Sequence, residues 1–83
     1  MSAEQVISIA NTTLEQLEHA WKELHNANLT EVRKQELIAH CKDVLALWNA
    51  VNTDVSLSDN PVLVQTVSKI TDRQAELSKQ FGL

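Results

Sequence analysis

Apolar residues recur along the first third of the chain as Ala3, Ile7, Ala10, Leu14, Leu17, Trp21 and Leu24. The steps alternate between four and three residues, so these side chains fall on one helical stripe for three heptads. The spacing predicts a helix over residues 3–26, with Ser2 and Gln5 as a capping box. Asn11, Thr12 and Thr13 are poor helix formers, and Thr12 with Glu15 is itself a capping-box pattern. The stripe keeps its phase across them, so one continuous helix is expected.

A second helix is predicted over 31–52. Thr30 supplies the N-cap and Glu31 an acid in the dipole-favoured first turn. Its apolar positions are Leu37, Ile38, Cys41, Val44, Leu45, Trp48 and Val51, a stripe wide enough to meet two neighbours. Asn, Thr, Asp and Ser between Asn52 and Asn60 mark a loop. Asn60 followed by Pro61 then starts a third helix, over 61–81, with Leu63, Val67, Ile70, Leu77 and Phe81 inward. Gly82 fits its C-terminal cap. Gln74 interrupts this third stripe, either fixing register or lying at the rim of the core.

Helices of this size are about 31–36 Å long at 1.5 Å per residue. Near-equal rods joined by short segments imply a single all-α domain over 1–83, an antiparallel up-down-up three-helix bundle. The alternative is a helical hairpin that dimerises with a swapped third helix. A hairpin turn near 27–30 makes facing positions of the first two helices sum to about 58. Trp48 then faces Ala10, Trp21 faces Leu37 and Leu17 faces Cys41.

Composition narrows the chemistry. With one Gly and one Pro, the chain holds no glycine-rich phosphate loop and few of the turns a many-stranded β fold needs. Seven basic and eleven acidic residues leave a net charge of −4, and no basic cluster is apparent, which argues against nucleic acid as a partner. The longest unbroken apolar run, Val44 to Trp48, is far short of the ~20 residues a bilayer requires, so membrane insertion is not expected. No basic segment precedes the short apolar stretch after Met1, and Cys41 is the lone thiol. Both points favour a cytoplasmic location.

Candidate catalytic and metal-ligating residues are few. His19 lies four residues from both Glu15 and Glu23, while His40 lies four after Glu36 and three before Asp43. Each group is short of the ligands a transition-metal site needs, and no H-E-x-x-H occurs, so no metal ligand and no cofactor is assigned. Cys41 sits on the inner stripe and reads as a core thiol. The carboxylate pairs Glu15/Glu18 and Asp72/Glu76 suit solvated helix faces. Arg33, Lys34 and Lys42 are interleaved with Glu31, Glu36 and Asp43. No catalytic residue is assigned, and an enzyme is not expected.

The informative signal is apolar surplus. Val6, Ile9, Leu47, Val55, Leu57, Val62 and Val64 exceed what the stripes require, and the up-down-up topology collects all seven at one end of the bundle. Glu4, Asp54 and Asp59 are the charges there. A core this small yields only ~3–5 kcal/mol of net stability, so association would reinforce it. The expected function is a small non-enzymatic interaction module: an adaptor, an assembly or secretion chaperone, or an inhibitor. It would bind a protein partner, or its own copy as a homo-oligomer, through that apolar, acid-rimmed end. The alternative is a metal- or ligand-responsive regulator using the surface His/Glu clusters.

Overall fold

The described residues form three helices: α1 (Ala3–Leu24), α2 (Glu31–Asn52) and α3 (Pro61–Phe81). The computed structural model describes residues 3–52 and 60–83. The predicted cap at Ser2 and the surplus residues Val55 and Leu57 lie outside the described residues.

The local signals account for the helix ends. Thr30 Oγ1 accepts from the Arg33 amide (3.2 Å), and its carbonyl takes the first intrahelical bond from Lys34 (2.9 Å). Asn60, in an extended conformation, accepts from the amides of Val62 and Leu63, and Pro61 follows where no amide is needed. Gly82 adopts the left-handed conformation (φ 72°) and returns its amide to the Ser78 carbonyl (3.0 Å). The first helix stops at Leu24, two residues before the expected end. The amides of His25 and Asn26 shift to carbonyls three residues back, and Asn26 Oδ1 then accepts from the Asn28 amide, turning the chain.

α1 is unbroken through Asn11–Thr13. Thr13 is buried, and its hydroxyl donates to the Ile9 carbonyl (2.8 Å), so the polar group brings its own partner into the core. Thr66 does the same in α3, donating to the Val62 carbonyl (3.0 Å).

α1 is the hub of an up-down-up three-helix bundle, packed against both α2 and α3, which stay further from each other. Contacts of α1 with α3 keep an offset of 55 residues, as in Glu18–Arg73 and His25–Gln80, so these two helices run parallel. α3 lies along α1 of its own chain, as a bundle requires and a swapped hairpin does not. Across the α1/α2 seam the numbers run in opposite senses. Arg33 meets Glu23 at one level, while Val44 and Leu47 share a cleft with Ile9 and Thr12 nearer the other end. These pairs add to between 53 and 59, an antiparallel register close to the one expected.

Being a hub rotates α1 relative to a simple seam. Its innermost line is Val6, Ala10, Thr13, Leu17, Ala20 and Leu24, while Ile7, Leu14 and Trp21 are half-buried on the flank toward α3. Ala10 and Ala20 let both neighbours approach closely. Leu17, Ile70 and Leu77 are fully enclosed, each contributing about 1.5–3 kcal/mol of burial. On α3 the inner line is Leu63, Thr66, Ile70 and Leu77, and Gln74 is left half-buried at the rim. Trp21 does not face Leu37: its ring meets Phe81 edge-on at 6.2 Å and carries the Arg73 guanidinium at 4.5 Å, both from α3. Heptad spacing had placed it on a seam without saying which of two neighbours the seam meets.

Candidate functional site

The predicted surplus cluster divides once the side chains are placed. Val6 is 0% exposed and belongs to the core, which corrects its assignment to a partner-binding surface. It lies on the innermost line of α1 because that helix packs against two partners, not one. Ile9 is half-buried against the core. Leu47, Val62 and Val64 are exposed, at 68%, 58% and 46%. Val62 and Val64 stand two residues apart on α3 and therefore point to opposite flanks of it. The described surplus residues thus share a level of the bundle but not one face. Only Ile9 and Leu47 come together.

They do so in a cleft of about 230 Å³ between α1 and α2, lined by Ser8, Ile9, Thr12, Thr13, Gln16, Val44 and Leu47. Gln16 is shared with a second depression of about 500 Å³ further along the same seam. That one is lined by Glu15, Gln16, His19, Ala20, Arg33, Glu36, Leu37 and His40. The two form one groove, apolar near Leu47 and charged near Glu36. Its α2 wall repeats Arg33, Leu37, His40, Val44 and Leu47 in steps of four and three. Of this line, the sequence pattern places only Leu37 and Val44 on the inner stripe of α2 and leaves Leu47 as surplus. Val32, 70% exposed, stands apart on the outer face of α2 beside Glu31, Gln35 and Ala39.

The charged half is held by Arg33. Its guanidinium reaches Glu23 on α1 (3.1–3.3 Å) and Glu36 on its own helix (3.2 Å). These side-chain bonds raise its pKa further above the ordinary arginine value. Glu23 also meets His19 Nε2 at 2.8 Å. Glu15 and His40 make no hydrogen bond or ion pair among the described residues.

The two His/Glu clusters noted in the sequence therefore face one another across a single groove. Among the described residues, no three His, Cys, Asp or Glu side chains converge as an ion-binding group. Cys41 is buried, and desolvation pushes its thiol above the ordinary value, which suits a core residue. Glu18 is tied to Arg73. Glu15 instead turns to the α1/α2 groove, so this expected carboxylate pair is split between two seams. Asp72 and Glu76 border the opposite, α1/α3 seam with Leu14, Glu18, Lys69 and Arg73. No described helix is long and apolar enough to cross a membrane. No protein-family profile matches the chain, and neither a curated protein nor a solved structure matches it.

Proposed function

We propose that the protein is a small non-enzymatic interaction module of the cytoplasm, acting as an adaptor, an assembly or secretion chaperone, or an inhibitor. The α1/α2 groove is its docking surface. One observation carries this reading: Leu47 stands 68% exposed at the rim of an apolar cleft whose floor is already folded. An aliphatic side chain left in water on a preformed cleft gains burial when a partner arrives. The lone buried thiol fits a reducing compartment. Leu47→Asp is expected to abolish complex formation with the native partner while leaving the helical CD spectrum unchanged. Val32→Asp, on the outer face of the same helix, is expected to leave binding intact. Complexes that survive Leu47→Asp remove the groove from the interface.

A second reading keeps one point in its favour, because Glu15, His19, Glu36 and His40 line the same depression. If a divalent ion regulates the protein there, zinc raises the melting temperature and His40→Ala removes the rise. An unchanged melting temperature in millimolar zinc dismisses it.

A further inference from the structure

We infer that the occupant of the α1/α2 groove is a basic amphipathic helix of a partner protein. One large aliphatic side chain fills the Ile9–Val44–Leu47 cleft, and a lysine or arginine two turns along the same face lies against Glu15 and Glu36. The inference rests on the docking reading above and specifies its partner.

Shape comes first. The groove follows two antiparallel helices for its whole length, so a third rod laid along it meets side chains at every turn. The apolar cleft centres on Thr12 and Thr13, and the charged depression on Glu15 to Ala20. The centres are about five to six residues apart on α1 and about nine on α2, a mean of about seven residues or 10 Å, and two turns of an incoming helix span the same distance. Anchor and cation therefore sit about seven residues apart on the partner.

Charge then selects the occupant. Three carboxylates, Glu15, Glu23 and Glu36, border the charged half against the single guanidinium of Arg33. Carboxylates outnumber guanidinium there by two. Among the described residues Glu15 is the carboxylate without a partner, and Glu36 shares Arg33 with Glu23. A second copy of this chain would bring the same surplus, on a molecule of net charge −4, into contact with itself. Like charges in apposition oppose that pairing, whereas a basic helix is drawn in.

The test selects a displayed library of five-turn amphipathic helices against the full chain. Each member has a fixed leucine anchor, with lysine, glutamine or glutamate allowed at the other exposed positions. Clones retained by the Leu47→Asp variant are removed. The expected winners carry lysine about seven residues from the anchor. They bind at least about tenfold more weakly to Leu47→Asp, as loss of a central anchor costs. The double variant Glu15→Gln/Glu36→Gln weakens them about three- to tenfold and flattens their salt dependence. Groove-dependent winners without a basic preference overturn the partner chemistry and leave the docking reading standing. An absence of clones that depend on Leu47 overturns both. A chain that sediments as a dimer, and as a monomer when Leu47→Asp is introduced, gives the groove to a second copy and overturns the inference.

Discussion

Along α3, the flank of α1 is cross-braced: Arg73 grips Glu18 with two bonds of 2.7 and 3.0 Å, lies over Trp21, and is followed by Phe81 and the His25–Gln80 bridge, beside a depression of about 440 Å³. Along α2, the opposite flank of the same helix ends in an open groove, and the one cross-seam ion pair among the described residues is exposed. The two seams share the inner line of α1 and differ at the rim. Planar, stacked and forked groups tie the two helices together at this rim, because the polar atoms of Glu18 and Arg73 are already matched to each other. A rim with Leu47, Glu15 and His40 unmatched leaves contacts for another molecule to make. On the proposed reading, the same fold carries its bracing on one side and its docking surface on the other.

This contrast can be broken at graded cost. Leu17 is enclosed on the line both seams share, so Leu17→Ala is expected to destabilise the whole bundle by about 2–5 kcal/mol in urea denaturation. Two separate transitions would show that the seams fold apart. Arg73→Ala is expected to cost about 1 kcal/mol, since it removes both the forked carboxylate pair and the cation above Trp21. Arg73→Lys, which keeps the charge without the fork, should recover only part of that loss. Arg33→Ala should leave the melting temperature unchanged, and an equal loss at both positions would erase the distinction between the rims.

The smallest effect concerns Cys41, on the inner side of α2. Burial raises its thiol pKa above the ordinary 9.0, so the folded chain keeps a proton that the unfolded chain gives up. Its contribution is complete below that value and falls away as pH rises through the range between the unfolded and folded pKa. Alkaline melting curves should therefore drop more steeply for the native chain than for Cys41→Ala. Parallel curves would mean that the thiol is solvated.

Most of this architecture was legible in the residue pattern, and the exceptions share a cause. Thr30, Asn60–Pro61 and Gly82 are local signals acting within one turn, and each ends or begins a helix where expected. The short overrun at 25 and 26 reflects Asn26, whose side chain competes for the amide of Asn28. Trp21 and Val6 were misplaced because a heptad stripe gives a direction around one helix but not the number of helices it meets. The groove was hidden for the complementary reason. Ile9 and Leu47 look like leftovers singly and become a wall, with Val44 of the inner stripe, only when the antiparallel register sets them side by side. Glu15 and Glu18, three residues apart, end on different seams, which a one-dimensional charge pattern cannot resolve.

Because α1 and α3 point the same way, the first helix begins at one tip of a body 42 Å long and the last helix finishes at the other. A fluorophore attached at Leu83 would stand most of that length away from Leu47, beside the Asn26 turn. A bulky tag at that position therefore immobilises the protein while leaving the space between its first two helices open.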